Sequence, residues 1–160
     1  MLEQNGYEVI MTRKSDDSTE DITSEQISSR KKSDLRNRLK LMSENPYSVF
    51  VSIHLNKFTT SAASGSQVFY SGNDERSKNL SDFIQGSIVK LLQPENTRVN
   101  KKATSSTFLL HNATVPAVLV ECGFLSNKND LSRLKNTDYQ KEMAFSIFCG
   151  ITDFFNLKEF

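Results

Sequence analysis

The amino-acid sequence predicts an α/β domain with a mostly parallel central sheet flanked by helices. Residues 49–55 (VFVSIHL) and 115–121 (VPAVLVE) are nearly continuous apolar runs, which is typical of strands buried on both faces of a parallel sheet. Segments with apolar residues at helical spacing accompany these runs, and alternating strands and helices favour that architecture. Because 160 residues suit one domain with its own core, a single domain over residues 1–160 is expected.

The first part of the chain predicts a strand, a loop, a helix and a strand. Residues 7–11 (YEVIM) are rich in β-forming side chains and indicate a strand. The polar residues 14–29 indicate a loop, and apolar residues at helical spacing then continue to about Ser43. Pro46 ends this helix, and the apolar run 49–55 follows as a buried strand.

The middle of the chain predicts two polar loops around a strand and a helix. Residues 57–66 and 95–106 are polar and indicate the loops, and 67–70 (QVFY) indicate a short strand between them. The next segment has one apolar face, begins at an Asn73-Asp74 cap and ends before Pro94, which indicates a helix.

The last part of the chain predicts two strands and a long helix. Residues 108–110 indicate a short strand, and 115–121 a buried one. Thr137 and Gln140 have the spacing of a capping box, and a helix with one apolar face is expected behind them up to residue 155.

Composition excludes several classes of protein. The formal net charge of +1 gives no electrostatic reason to expect nucleic acid or an anionic membrane as partner. No apolar run is long enough to span a bilayer, and the first 13 residues have no apolar signal core, so an export signal is not visible. The two cysteines, Cys122 and Cys149, have apolar neighbours, and we expect buried free thiols rather than a disulfide.

Two ionisable residues lie near the ends of the predicted buried strands, where parallel sheets bind ligands. They are His54 and Glu121. A neutral imidazole binds zinc, and a carboxylate that is not a ligand can take a proton from zinc-bound water. On the spacing alone, a hydrogen-bonded structural histidine and a carboxylate that caps a turn explain the two residues as well.

The segments that contain these residues resemble the zinc-dependent N-acetylmuramoyl-L-alanine amidases, amidase type 3. SIHLN (52–56) and VECGFLSN (120–127) match the two signature segments of that family. GYEVIMTR (6–13) is similar to its second strand, and residues 139–150 are similar to its last helix, so the resemblance covers nearly the whole chain. A narrower likeness, carried by the residues before SIHLN, is to the CwlD-type amidases of endospore-forming bacteria.

The resemblance implies a role for each residue of the signature segments. His54 matches a zinc-binding histidine, and Glu121 matches the catalytic glutamate. Asn56, Ser126 and Asn127 are possible substrate-binding residues of the groove, although Ser and Asn after a strand are also typical of turns. His111, the other histidine, is expected to be a surface residue.

The family's first strand and helix, which carry a DPGHGG-like motif and a glutamate that complete the zinc site, have no counterpart here. Zinc catalysis needs three protein ligands and an open position. We therefore expect an N-terminally incomplete catalytic domain that is inactive as it stands. Three explanations compete: a truncated chain, a second chain or dimer partner that completes the fold, and an inactive relative retained for binding.

The expected reaction is cleavage of the amide bond between N-acetylmuramic acid and the L-alanine of the stem peptide. The resemblance implies that zinc polarises the lactyl carbonyl and activates water while Glu121 transfers the proton. The substrate would be the peptidoglycan strand and its stem peptide, held between loops 57–66 and 95–106. The CwlD-type likeness implies spore cortex maturation with muramic-δ-lactam formation, in the cell wall or the forespore intermembrane space. The rivals are a non-catalytic peptidoglycan- or protein-binding relative and a zinc carboxypeptidase.

Overall fold

The fold is a four-stranded sheet with helices on both faces. A computed structural model describes residues 1–20 and 27–157. A short 3-10 helix, Glu3–Asn5, comes first. The other elements are α1 (Ile27–Ser43), β1 (Phe50–Asn56), β2 (Gln67–Tyr70), α2 (Arg76–Leu91), β3 (Lys101–Lys102), α3 (Phe108–His111), β4 (Ala117–Phe124), α4 (Lys128–Lys135) and α5 (Thr137–Phe155). None of the helices in these ranges is both long and apolar enough to cross a membrane.

The sheet has the order β1-β4-β2-β3 and is mostly parallel, as the sequence predicts. β1 runs parallel to β4, and β2 runs parallel to β3. The pairing of β2 with β4 is antiparallel, which the apolar runs did not reveal. As a consequence, β2 begins at the edge of the sheet where β1 and β4 end.

One face of the sheet packs against α2 and α5. Val118, Val120 and Cys122 of β4 point to this face, since alternate residues of a strand share a side. Apolar residues of both helices meet them there and form the larger core. From the two helices and β2, its buried members include Val68, Leu80, Ile84, Ile88, Met143, Ile147, Ile151 and Phe154.

The opposite face carries a smaller core under α1 and α3. Met42 of α1 and Leu110 of α3 pack with Ala117, and Leu119 and Phe69 are partly buried beside them. Because the two neighbours of Glu121 along β4 belong to the other face, Glu121 lies on this thinner side. Helix α1 covers it incompletely, so polar side chains of the strands remain accessible near the carboxyl ends of β1 and β4.

The prediction that residues 49–55 form a strand buried on both faces is wrong in one respect. A strand forms, but β1 lies at the end of the strand order, and its last residues are exposed. Ile53 and Leu55 keep 62% and 51% of their surface accessible. An apolar run reports side-chain hydrophobicity and not the number of neighbouring strands. The run therefore did not distinguish this edge strand from a central one.

The prediction of a strand at residues 7–11 is wrong. This segment has no regular secondary structure, and Ile10 and Met11 are exposed. β-forming residues become a strand only when a neighbour pairs with their backbone groups. No strand in the described ranges pairs with them. Tyr7 instead packs its ring against Phe155, with 5.2 Å between the ring centroids.

Three local predictions also differ from the structure. Residues 108–110 form a helical turn rather than a strand. Helix α5 is capped by the side chain of Asn136, which accepts from two backbone amides, so Thr137 and Gln140 do not form the expected capping box. Helix α1 begins at Ile27, inside the predicted loop 14–29. Residues 21–26 of that loop lie outside the described residues.

The close crossing of α2 and α5 depends on Gly150. A Cβ at this position would lie 2.5 Å from the Cα of Ile84, which belongs to the rigid backbone of α2. We expect Gly150→Ala to lower the free energy of unfolding by about 1–3 kcal/mol, because the helices must separate. The control is Gly86→Ala in α2, where a Cβ meets nothing within 4 Å. It should raise stability by about 0.5–1 kcal/mol. Urea unfolding measures both, and equal effects of the two variants would contradict the tight crossing.

Candidate functional site

His54 and Glu121 lie side by side in the sheet. The parallel register pairs β1 with β4 from Phe50 and Ala117 up to His54 and Glu121. Neighbouring strands are about 4.8 Å apart, and directly paired residues of a sheet point to the same face. The expectation that the two residues share one crevice at the carboxyl ends of their strands agrees with this register.

The carboxyl group of Glu121 is partly buried and lacks a hydrogen-bond partner for one of its oxygens among the described residues. Its Oε2 atom is buried and has no hydrogen-bond partner within residues 1–20 and 27–157. Burial raises the pKa of Glu121. Buried polar atoms are nearly always satisfied in proteins, and exceptions concentrate at sites that bind or react. Glu121 therefore keeps a free acceptor oxygen and a raised pKa at the carboxyl end of β4.

His54 lies close to a positive charge. Although the residue as a whole is exposed, partial burial of the imidazole and then the charge of Arg38 lower the pKa of His54. A neutral imidazole is the form that binds metals. Arg38 is itself fixed, because its guanidinium donates to both carboxylate oxygens of Asp34, at 2.9 and 3.0 Å, and to Thr12 at 3.1 Å. Thr19 completes the cluster by donating its backbone N–H and hydroxyl to Asp34, both at 2.8 Å.

Two further residues, Gln67 and Arg98, lie next to this pair, and the sequence did not indicate that they would. Gln67 is the register partner of Glu121 on its other side, and it is 4% exposed. Its side chain accepts from Arg98 Nη1 at 3.0 Å and donates to the carbonyl of Val99 at 2.8 Å. His54, Glu121 and Gln67 thus form one row across three strands. Alternation along QVFY places Gln67 on the same side as Phe69, but only the antiparallel pairing brings it beside Glu121.

The possible substrate-binding residues Asn56, Ser126 and Asn127 gather at the same edge. Asn56 follows His54 on the same side of β1, and its carbonyl accepts from Leu125 N at 2.8 Å. Ser126 Oγ accepts from Phe58 N at 3.2 Å. Asn127 caps α4 through its side-chain oxygen and donates its Nδ2 to the carbonyl of Ser61 at 2.8 Å. In this structure Ser126 and Asn127 fix the loop that follows β1, which is the turn chemistry expected of these residue types.

Both polar loops flank this edge. Loop 57–66 runs from the end of β1 to the start of β2, and Arg98 of the second loop donates Nε to the carbonyl of Ser64 at 2.6 Å. His111 lies far from them. Its carbonyl accepts from Asn73, which follows the other end of β2. It is therefore an exposed residue at the opposite edge of the sheet, as expected.

The described residues do not form a complete zinc site. They contain no group of three His, Cys, Asp or Glu side chains placed to hold one metal ion. A catalytic zinc takes three protein ligands and keeps one position open. His54 and the unsatisfied oxygen of Glu121 suit part of such a site. Cys122 is not an additional ligand candidate, because it points to the opposite face and burial raises the pKa of its thiol to about 12.

The arrangement defines an α/β domain with its site at the carboxyl ends of parallel strands. The chain belongs to the N-acetylmuramoyl-L-alanine amidase family, whose model matches residues 1–153. It is 36% identical over 157 residues to the germination-specific N-acetylmuramoyl-L-alanine amidase of Bacillus subtilis (strain 168). That match covers 98% of this chain and 65% of the length of the relative.

Solved structures show the same likeness. The CwlD amidase from Clostridioides difficile, solved in complex with the GerS lipoprotein, superimposes with a TM-score of 0.92 at 34% identity. The match covers 98% of this chain and 80% of that one. The catalytic domain of CwlV from Bacillus (Paenibacillus) polymyxa var. colistinus gives a TM-score of 0.72 at 29% identity, over 98% of this chain and 78% of that one. The resemblance found in the signature segments is therefore confirmed across the fold.

The Asp34–Arg38 ion pair makes the stability of the protein depend on pH in the acidic range. Burial alone raises the pKa of Asp34, but the hydrogen bonds from Arg38 and Thr19 and the charge of Arg38 outweigh it and lower the pKa from 3.8 to about 2. The stabilisation is present above the ordinary pKa and is lost as the pH falls toward 2. We expect Asp34→Asn to cost about 1 kcal/mol near neutral pH, because solvent screens part of the interaction.

This difference between Asp34→Asn and the unchanged chain should shrink below about pH 4 and vanish near pH 2. Urea unfolding midpoints across that range measure it. Asp16→Asn is the control, since Asp16 is fully exposed in its ion pair with Arg13 and should change little at any pH. A constant difference between the Asp34 variant and the unchanged chain at all pH values would exclude the proposed role of the charge.

Proposed function

We propose that this chain is the catalytic part of a peptidoglycan hydrolase that cleaves the amide bond between N-acetylmuramic acid and L-alanine. The observation that carries the proposal is the half-buried Glu121, with an unsatisfied oxygen, in register beside His54 at the ends of two parallel strands. Family membership supports it. The chain spans 65% of the length of its germination-specific relative.

Glu121 is the proposed proton-transfer residue. Its carboxylate would take a proton from the water that attacks the lactyl carbonyl, and would return that proton to the alanine nitrogen as the amide bond breaks. Its raised pKa suits both steps. The carboxylate is a stronger base toward water than an ordinary glutamate, and its protonated form can then donate the proton to the nitrogen. Gln67, bound to Arg98 and Val99, would hold the neighbouring strand so that Glu121 keeps its orientation.

We propose His54 as one ligand of a zinc ion. The described residues do not supply the others, so the ligand set would be completed by further residues of the protein or by a second chain. A second chain or a dimer partner is one form of this proposal. β1 lies at the end of the strand order among the described strands, which supports it because the backbone of such an edge is open to pairing with another strand.

The proposed setting is the cell wall of an endospore-forming bacterium. The germination-specific relative and the CwlD structure support a role in the spore cortex, where release of the stem peptide would permit muramic-δ-lactam formation. The protein would then be exported, to the wall or to the forespore intermembrane space. The CwlD structure contains a lipoprotein partner, which supports a protein partner for this chain as well.

A second candidate is a relative that binds peptidoglycan without cleaving it. The observation that favours it is the absence of a three-ligand metal cluster within the part of the chain that the structure describes. The two candidates differ in products. The amidase releases a peptide that begins with L-alanine, whereas the binding protein leaves muropeptides intact even when zinc and any completing segment are supplied. Loss of a C-terminal amino acid from the peptide would indicate a carboxypeptidase instead.

Glu121→Gln tests the proposed proton transfer. Glutamine keeps the shape of the side chain and cannot accept the proton. In a form of the protein whose zinc site is complete, peptide release should therefore fall by about 10²–10⁴-fold while muropeptide binding is retained. Glu75→Gln is the matched control, because Glu75 is exposed and makes no capping hydrogen bond at the start of α2. Chromatography of digested peptidoglycan measures the release. Full activity of the Glu121 variant would exclude Glu121 as the proton-transfer residue.

His54→Ala tests the metal proposal without relying on activity. Elemental analysis should find about one zinc per chain once the ligand set is complete, in a version with additional upstream sequence or with a completing partner. The 160-residue chain alone should bind little zinc. His54→Ala should remove the zinc from the complete form. His111→Ala should keep it, since His111 lies at the opposite edge of the sheet. Zinc that persists in the His54 variant would exclude His54 as a ligand.

A further inference from the structure

An open polar pocket is connected to the His54–Glu121 pair through Arg98 and Gln67. It has a volume of about 490 Å³ and opens between loop 57–66, the start of the second loop and the first turns of α4. Arg98 connects it to the pair, because its guanidinium lines the pocket and donates to Gln67, the register partner of Glu121. Only one strand spacing of about 4.8 Å separates Gln67 from Glu121. The buried side chain of Gln67 therefore lies between the pocket and Glu121.

The charges that line this pocket are balanced. Two arginines, Arg98 and Arg133, are matched by two carboxylates, Glu95 and Asp130. Arg133 Nη1 donates to Glu95 Oε1 at 3.0 Å, so this pair is already neutralised. An anionic ligand would find no net attraction and would have to compete with these carboxylates. The lining therefore suits a ligand without net charge.

The pocket presents uncommitted hydrogen-bonding groups of both kinds. The hydroxyls of Ser64 and Thr97 and the side-chain amide of Asn129 line it, are exposed, and take no part in the hydrogen bonds found within the described ranges. Hydroxyls and amides both donate and accept. Ala62 adds a small apolar surface. These groups complement a ligand that carries hydroxyls, an acetamido group and a methyl group.

The walls of the pocket are held in place by hydrogen bonds to a buried carboxylate. Asp130, which is 6% exposed, accepts from Gly65 N at 3.0 Å and from Phe124 N at 2.9 Å. Gly65 has φ +81°, a conformation that favours glycine, and a side chain there would also meet Asn96. The pocket is thus preformed, and a ligand would bind without first ordering the loop.

We propose that this pocket binds one N-acetylated hexose unit of the glycan strand, next to the bond that is cut. The proposal rests on the proposed function for the identity of the polymer. It assigns recognition of the sugar to Ser64, Thr97 and Asn129, and places the glycan on the α4 side of Glu121. The stem peptide would then leave the site in another direction, over the exposed end of β1.

An NMR titration of the full chain tests this inference. The saccharide probe is the tetramer of N-acetylglucosamine, which contains no peptide, and the peptide probe is L-alanyl-D-isoglutamine. The saccharide should shift the amide signals of residues 64, 97 and 129, with an affinity that is the same at low and high salt because the ligand is neutral. Asn129→Ala should weaken this binding about threefold to tenfold, as for one lost hydrogen bond.

Asn79→Ala is the matched control, because Asn79 is also exposed in the first turn of a helix but lies outside the pocket. It should leave the affinity for the saccharide unchanged. Binding of the dipeptide to the pocket instead, with an affinity that falls as salt rises, would overturn the proposal in favour of a carboxylate site. Absence of shifts with both probes would also overturn it.

Failure of this inference can be distinguished from failure of the proposed function. If the complete protein releases the stem peptide but Asn129→Ala binds the saccharide as well as Asn79→Ala does, the sugar pocket is excluded and the amidase stands. If the saccharide binds at residues 64, 97 and 129 while no form of the protein releases peptide, the pocket stands and the amidase is excluded.

Discussion

The parallel pairing of β1 with β4 is the constraint on which the site depends. Backbone hydrogen bonds run from the start of β1 to His54 in unbroken register and bring this residue directly beside Glu121. A shift of the register by one residue would move one of the two side chains to the opposite face, because strand side chains alternate. The irregularity in the ladder comes only after this pair, between His54 and Asn56. The geometry of the candidate site is therefore set by the sheet and not by its loops.

The environment of Glu121 contrasts with that of the other buried polar groups nearby. Ser66, at the start of β2, exchanges hydrogen bonds with Gln93, Asn96 and the carbonyl of Cys122, and these groups satisfy one another. Glu121 keeps a buried oxygen without such a partner. Leaving a buried polar group unsatisfied typically costs about 1–3 kcal/mol. Among the described residues, Asn100 Oδ1 in the second loop is the other buried side-chain atom without a partner, and such exceptions are often found where proteins bind water, ions or ligands.

The two faces of the sheet differ in how much apolar core they carry. The face under α2 and α5 carries the larger core, where Gly150 allows the helices to approach closely. The face under α1 and α3 carries a smaller core and leaves the ends of β1 and β4 partly open. The larger core is thus on one side of the sheet, while the other side stays partly open at the ends of the strands. The pinned loop 57–66 and Arg98 extend that open side toward α4.

Features that depend on neighbouring residues along the chain were predicted better than features that depend on distant residues. The helices α1, α2 and α5 were predicted because their apolar spacing is a local property of the chain. The burial of β1 on both faces and the strand at residues 7–11 were predicted wrongly, since both depend on which neighbour pairs with them. The capping box was also predicted wrongly, although capping is local. Asn136, one residue earlier, caps the helix instead by accepting from the backbone N–H groups of Asp138 and Tyr139.

The sequence by itself determined the α/β class, the family and the two residues at the strand ends. Strand-forming apolar runs and short signature segments are local, so they can be read without knowledge of the fold. Only the tertiary structure decided that β2 runs antiparallel to β4, and this pairing brings Gln67 to Glu121 and the second loop to the same edge. Such contacts join residues that lie far apart along the chain. They depend on which strand pairs with which and in what direction, and the side-chain pattern of a single strand does not specify its neighbour.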